Sequence, residues 1–445
     1  MNNNYGVESV GKDCTKNNNA WNAVFDKLPI LDEIASKGVY HITASELNDI
    51  GKRQPQLMTN IESVHNLPGI LLDNSLCIIP DGDQGNYIIG HFDAFQDVDF
   101  NPTKLKAETF EVERHFDTLD PFSIKRGPSA ILAAYNNRIL DDIIGNPTTE
   151  LRMTNYGTTY TEPFEFTINN KKGGKPYTIA VGRSQLEMDG VFETDECVIN
   201  IEAKNGMKTN FLTGQLYYPF RYLEKQTDKD IVNIFLTCST GSIFAHVFHV
   251  DDRDNYNSMR LMSSHRYNFY EDITVSEVAE LIRSTECTSD PPDLIIPQAD
   301  SIQKVFDSLE LINYAPGITD NELGYQLSIV NRQGGYYGNA CNYLGLTERK
   351  RDGRSFNNYI SHIGREILTL SYKDRILAII KQMLRHKVFN HFLKGYLDQP
   401  PTKKEIEEWL KDNIPDMNNN STPGRRAGTI TSWINWVIDT CNADI

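Results

Sequence analysis

Apolar positions recur at helical spacing from Ala20 to Lys37, with a break at Pro29. The run Ile42-Thr43-Ala44-Ser45-Glu46-Leu47 predicts a helix start with Thr43 as N-cap and Glu46 at the capping-box position. Further elements are predicted around Pro55 to Ser63 and Leu67 to Asn74. Leu76-Cys77-Ile78-Ile79 and Tyr87-Ile88-Ile89 read as short strands separated by the turn Asp81-Gly82-Asp83-Gln84-Gly85-Asn86. Residues 101 to 120 form a charged connection, and Ser129 to Ile144 carries an amphipathic helical pattern. The period then changes. Gln185 to Gly190 and Val198 to Lys204 read as strands that can pair as a hairpin, and Ile231 to Thr237 and Ile243 to Val250 as further core strands.

A helix is expected from Ser276 to Arg283, and the turn Ser289-Asp290-Pro291-Pro292-Asp293 marks a boundary. Ile318-Thr319-Asp320-Asn321-Glu322-Leu323 repeats the capped helix start seen at Ile42. A helix from about Gly335 to Leu344 follows, then a basic turn from Arg349 to Arg354. The last segment carries a helix from Lys403 to Asp412, a polar spacer Asn418-Asn419-Asn420-Ser421, and a helix whose apolar face is Ile430, Trp433, Ile434 and Val437. The expected units are 1–100, winged-helix-like; 101–290, built on a mixed sheet; 291–400, again winged-helix-like; and 401–445, helical.

With 445 residues the chain has room for two to four domains. Its start lacks a basic region followed by an apolar stretch, no apolar run approaches a membrane span, and the cysteines lack CxxC or zinc spacing. These features predict a cytoplasmic protein with free thiols, without a zinc site or a membrane partner. A net charge of −16 argues against a nucleic-acid partner until its distribution is considered. From Arg332 to Lys394, twelve basic residues stand against four acids. This local surplus suits a DNA backbone, or is simply a solvated face.

The candidate chemistry lies in the strand pair. Alternate side chains of a strand share a face, so Glu187 can join Asp189, and Glu202 can join Lys204, while Ile199, Ile201 and Ala203 point away. Two carboxylates and one ammonium then converge, as metal-assisted phosphodiester hydrolysis requires. Mg²⁺ takes oxygen ligands and needs only one or two carboxylates beside a substrate phosphate. Asp189 and Glu202 would be those ligands, and Lys204 would position or polarise the attacking water. Gly190 would let the chain turn sharply after the first acid.

This arrangement resembles the PD-(D/E)xK nuclease superfamily, with Asp189, Glu202 and Lys204 matching the motif's two acids and its lysine, and Met188 standing where the motif has proline. The resemblance implies an α/β (α+β) fold, a central mixed-sheet nuclease core flanked by winged-helix, mainly helical units, and Mg²⁺-dependent DNA cleavage. Gln215, opening a predicted helix, matches an active-site polar residue of many members. The helix before the site offers no supporting acid, so the auxiliary carboxylate stays unassigned, with Glu187 as one candidate. The order of units resembles multidomain type II restriction endonucleases. That likeness implies a bacterial enzyme acting on double-stranded DNA, alone or as a homodimer, with a cognate DNA methyltransferase encoded nearby.

Candidate DNA contacts are Lys52, Arg53 and Gln56 in the first unit. In the third they are Arg332, Tyr336, Tyr337, Asn339, Arg349, Lys350, Arg351 and Arg354, and in the last Arg425 and Arg426. The first unit could equally be a packing module, the tyrosines could pack inward, and the arginine pair could solvate a helix start. Rival readings of the whole are a non-catalytic DNA-binding regulator with a vestigial nuclease core, and a repair or modification-dependent nuclease. A glycosidase is a more distant rival, because Lys204 has no part in oxocarbenium chemistry.

Overall fold

The computed structural model describes residues 10–82, 85–98, 107–109, 119, 127–145, 148–206, 208–239, 242–268, 273–288, 296–353, 355–370, 372–396, 401–414 and 423–441. The fold is mixed α/β. At its centre is a seven-stranded sheet in the spatial order Ala107–Thr109, Met259–Asn268, Ser242–Val250, Asp230–Ser239, Cys197–Asn205, Gln185–Glu193, Arg152–Tyr160. Cys197–Asn205 and Asp230–Ser239 run parallel, joined through the helix Gly214–Leu223, and Ala107–Thr109 lies parallel to Met259–Asn268. The other neighbours are antiparallel. On one face, Ala130, Ile131, Ala133 and Ala134 of the helix Gly127–Asn136 pack on Phe192, Ile199, Ile201 and Ala203.

The expected helix from Ser129 to Ile144 is two helices, Gly127–Asn136 and Ile139–Ile143. Arg138 between them has φ 58°, a left-handed backbone that a continuous helix cannot contain. The two core strands predicted at Ile231 to Thr237 and Ile243 to Val250 are present as Asp230–Ser239 and Ser242–Val250, paired antiparallel. Arg152–Tyr160, Met259–Asn268 and the separate hairpin Phe164–Ile168 with Tyr177–Val181 lie outside the sequence expectations.

Before the sheet, the helices Val10–Lys27 and Ile30–Lys37 are separated at Pro29. They lead to the strand Val39–Ile42, the helices Ala44–Gly51, Pro55–Thr59 and Gly69–Asp73, and the strands Cys77–Gly82 and Asn86–Gly90. The Thr43 cap is reciprocal: its hydroxyl accepts the Glu46 N–H at 3.1 Å, and the Glu46 carboxylate accepts the Thr43 N–H at 2.8 Å. The core of this module does not stop at residue 100. Trp21, Ile78 and Ile89 belong to one buried cluster with Phe166, Phe211, Tyr217, Phe235 and Tyr256, so the module and the second face of the large sheet share a core.

After the sheet come the helix Ile302–Tyr314, strand Ile318–Thr319, helices Asp320–Gln326 and Gly334–Tyr343, and strands Thr347–Asp352 and Ser355–Ile360. Both modules place their last strand in the middle of a three-stranded antiparallel sheet, between the first and second. The expected basic turn is therefore mostly strand, because Arg349, Lys350 and Arg351 pair with Asn358, Asn357 and Phe356. The helices Lys403–Asn413 and Pro423–Cys441 join the same core, which extends from Ile273 to Val437. Trp433 is fully buried there, its indole N–H donating to the Ala299 carbonyl at 2.7 Å. Among the described residues no helix is long and apolar enough to cross a membrane.

Candidate active site

The candidate acids lie on neighbouring central strands whose ladder ends at the pair Ile201 and Gly190. Across the other edge of the first strand, Asn155 pairs with Val191 and Gly157 with Met188, so Asp189 and Gly190 together stand opposite the single residue Tyr156. This is a β-bulge, a local extra residue that bends the strand and re-aims a side chain. Where the regular ladder stops, the Asp189 carboxylate takes over: its Oδ2 accepts the backbone N–H of Ala203 at 2.9 Å. The first acid is thereby fixed against the strand that carries the second acid and the lysine.

The bulge corrects two expectations. Gly190 makes no sharp turn; the strand continues to Glu193, and Gly190 lies outside the left-handed region. Its role is close packing, since a Cβ there would stand 3.3 Å from the Phe192 ring and 3.4 Å from Ile131. The extra residue also shifts the alternation, so Leu186 and Met188 share a cluster with Val191 and Val198. A spacing of two from Glu187 to Asp189 therefore no longer ensures a shared face. Glu187 is exposed across from Thr158.

Glu202 is 6% exposed, and its Oε1 accepts from the Lys204 ammonium at 2.6 Å. The expected sharing of a face by these two residues is present. Burial pushes the Glu202 carboxyl up to about 7, with the neighbouring Asp189 and Glu62 charges acting in the same direction and Lys204 opposing. Burial works against charge on Lys204 as well, but Glu202, Glu62 and Asp189 outweigh it and hold the ammonium protonated beyond its ordinary range. Glu62 comes from the N-terminal module. Burial disfavours its charge, and the ammoniums of Lys208 and Lys204 overcome that and keep its carboxyl below its usual range. Sequence reasoning missed Glu62, which lies far from the motif along the chain and in no pattern of its own.

Gln215 occupies the first turn of the helix Gly214–Leu223, as expected. That turn is tied to the strand bearing Glu202 by a bond of 3.0 Å from the Asn200 amide to the Leu216 carbonyl. The Gln215 side-chain carbonyl is buried without a hydrogen-bond partner among the described residues. Such an orphan acceptor costs free energy unless a ligand or water supplies the donor.

The donor set fits Mg²⁺. Asp189 and Glu202 offer carboxylate oxygens, and Gln215 a carbonyl oxygen; the Ala203 contact engages one Asp189 oxygen and the Lys204 contact one Glu202 oxygen. Among the described residues no group of three or more His, Cys, Asp or Glu side chains is arranged to hold a metal. A two-carboxylate site completed by water and substrate phosphate matches how Mg²⁺ is commonly bound.

The remaining predicted contacts divide by exposure. Lys52, Gln56, Arg332, Tyr336, Lys350, Arg351 and Arg425 are exposed, and Arg53, Asn339 and Arg426 are intermediate. Lys350 lies over the Tyr359 ring at 4.9 Å, and Arg351 Nε donates to the Gly353 carbonyl at 3.2 Å. Two residues face inward: Tyr337 takes the packing alternative, and Arg349 departs from its expected role. Tyr337 packs against the helical core, where burial drives its hydroxyl well above the usual range. Arg349 is bound to Asp320 and Asn358 and lies over the Phe356 ring at 4.4 Å, so neighbouring side chains engage its guanidinium. Arg354 lies outside the described residues.

Three domain families match the chain in succession. Each is described as a domain of unknown function: DUF6996 over residues 18–89, DUF6997 over 90–268 and DUF7226 over 304–442. No curated protein and no solved structure matches it. Asp189, Glu202, Lys204 and Gln215 all fall in the second match, whereas Glu62 falls in the first.

Proposed function

We propose that this chain is a Mg²⁺-dependent endonuclease of the type II restriction class, cutting double-stranded DNA at a short specific sequence in the bacterial cytoplasm. The observation that carries the reading is the bulged Asp189 bonded to Ala203, between Glu202 and Lys204 on the adjacent strand. This gives the acid, acid and lysine of the PD-(D/E)xK pattern a common position on two neighbouring strands of a mixed sheet. The orphan Gln215 carbonyl adds an acceptor that could hold a water.

Asp189 and Glu202 would hold the ion, which supplies positive charge against the phosphoryl oxygens and acidifies its bound water. Lys204 has three N–H donors and uses one on Glu202, so two remain to orient the attacking water or a phosphoryl oxygen. Its raised pKa keeps it a donor at neutral pH rather than a base. The water attacks the phosphorus in line with the departing 3′ oxygen.

We read both three-stranded modules as winged helices, on the strength of their shared order of helices and strands. In the C-terminal one, Arg332 and Tyr336 lie exposed at the start of the helix Gly334–Tyr343, and Lys350 and Arg351 lie on the adjoining hairpin. A helix offering side chains to the major groove beside a basic hairpin on the phosphates is a familiar arrangement for reading duplex DNA. One such site cuts one strand, so a double-strand break calls for a homodimer or two successive nicks. A DNA methyltransferase encoded nearby would protect the host sequence.

The test is incubation of unmodified, methylated and branched duplex DNA with Mg²⁺ and the wild-type chain, Asp189→Ala or Lys204→Ala. Site-specific cutting of unmodified DNA by the wild type alone supports the proposal. Equal products from all three proteins would falsify the site assignment. Cutting confined to methylated or branched DNA would move the substrate to modified or damaged DNA.

A further inference from the structure

A buried lysine beside the candidate site joins all three parts of the chain. Lys208 is 7% exposed, and its ammonium donates to the Ser328 hydroxyl at 2.8 Å and pairs with the Glu62 carboxylate at 3.4 Å. Glu62 belongs to the N-terminal module, Lys208 to the segment that follows the catalytic strand, and Ser328 to the C-terminal module. Two further bonds close the junction. The Val64 N–H donates to the Asn210 side chain at 2.8 Å, and the Asn66 amide donates to the Tyr325 carbonyl at 3.2 Å. Ser63 fixes the orientation of Asn66 by donating to its side-chain oxygen at 3.0 Å.

Ser328 has φ 52°, in the left-handed region that a residue with a Cβ seldom enters. Such strain persists only where surrounding contacts over-determine it. Here the residue is almost fully buried, and its N–H donates to the same Tyr325 carbonyl that accepts from Asn66. The C-terminal module thus presents one constrained turn to the junction. That turn holds Lys208, and Lys208 holds Glu62.

The arrangement bears on the active site because Glu62 is within electrostatic reach of two ammoniums, Lys208 and Lys204, and Lys204 is itself paired with Glu202. A carboxylate free to move could compete with Glu202 for Lys204. Resting on the nuclease reading above, we propose that Lys208 is a positioning residue for the hydrolytic site. Anchored on Ser328, it holds Glu62 at a fixed place beside the Glu202–Lys204 pair, so the geometry of Lys204 depends on both DNA-reading modules being seated. The three-part chain is then one catalytic unit.

The test uses the full chain and a plasmid that the wild type cuts with Mg²⁺. Lys208→Met is expected to lower kcat by about tenfold or more with KM for DNA nearly unchanged, since small misplacements of reacting groups are costly. Lys208→Arg keeps the charge and is expected to recover most of kcat. Glu62→Gln, a near-isosteric change at a part-exposed position, should move kcat in the same direction even if Lys208→Met fails to fold. Unchanged kcat in Glu62→Gln overturns the proposal. So does a Lys208→Met defect confined to KM, or one that Lys208→Arg shares together with a lowered Tm. If the wild type cuts no DNA under any condition, the nuclease reading itself falls, and this inference falls with it.

Discussion

The Asp189 carboxylate accepts the backbone N–H of Ala203 at 2.9 Å, so a side chain replaces a ladder bond at the point where the central sheet bulges. That single contact ties the first candidate acid to the strand carrying Glu202 and Lys204. Substitutions at Asp189 should therefore separate chemistry from structure.

Asp189→Asn keeps an oxygen for the Ala203 N–H but loses the charge that would hold Mg²⁺. Cleavage should fall by at least about 100-fold with little change in Tm, since charge stabilisation in such sites is a large part of the rate. Asp189→Ala should add a stability loss of about 1–2 kcal/mol, because it leaves the Ala203 N–H without its partner. Thermal melts beside cleavage assays check both.

Glu202 gives a pH signature in metal-free protein. Its folded pKa, about 7, lies above the usual 4.5, so the folded state binds this proton more tightly than the unfolded state does. Its contribution to stability is complete below pH 4.5 and is lost as the pH rises to 7. Glu202→Gln cannot titrate and should remove that part of the slope. Urea midpoints in chelator across this window read the difference; parallel curves for the two proteins would contradict the assignment.

Gln215 should show opposite signs for stability and activity. Its buried carbonyl has no hydrogen-bond partner among the described residues. Gln215→Met removes this orphan acceptor at similar volume and should raise stability by about 1 kcal/mol. If the carbonyl holds a reacting water, cleavage falls at the same time. A variant both less stable and fully active would assign Gln215 a purely structural role.

Gly127 opens the helix that packs behind the site. A Cβ there would stand 2.4 Å from the Ala203 carbonyl oxygen, a backbone atom of the same residue whose N–H binds Asp189. Gly127→Ala should push helix and strand apart and cost about 1–3 kcal/mol, as overpacking does. Activity should fall further than at Gly190→Ala, where the neighbours are the side chains of Phe192 and Ile131.

Three consecutive positions on the C-terminal hairpin should behave differently. Lys350 and Arg351 are exposed, and replacing both with Ala should weaken DNA binding and lower its salt slope by about 2 without changing Tm. Arg349 is tied to Asp320 and Asn358 beneath the hairpin, so Arg349→Ala should lower Tm first. Fluorescence anisotropy over a salt series, paired with melting curves, distinguishes the two.

Local signals were legible wherever the chain's own chemistry decides the outcome. The Thr43–Glu46 capping box, the break at Pro29 and the apolar stripe through Trp433 require only neighbours within a turn or two. Glu202 and Lys204 meet because they are two residues apart on one strand, a relationship set by backbone geometry. The sequence misplaces Arg349, and leaves Tyr337 open between groove and core, for the converse reason. A charge or a ring in a sequence does not reveal which way its helix or hairpin is docked, and here both face inward.

By itself the sequence determined the candidate acids and lysine, the capped helix starts and the local basic surplus, all matters of residue type and short spacing. Only the tertiary structure decided the bulge that aims Asp189, the exposure of Glu187 across from Thr158, and the arrival of Glu62 and Ser328 on either side of Lys208. Strand register and module docking depend on contacts between residues far apart in the chain. Burial then raises the Glu202 pKa, while the neighbouring carboxylates keep Lys204 charged against it.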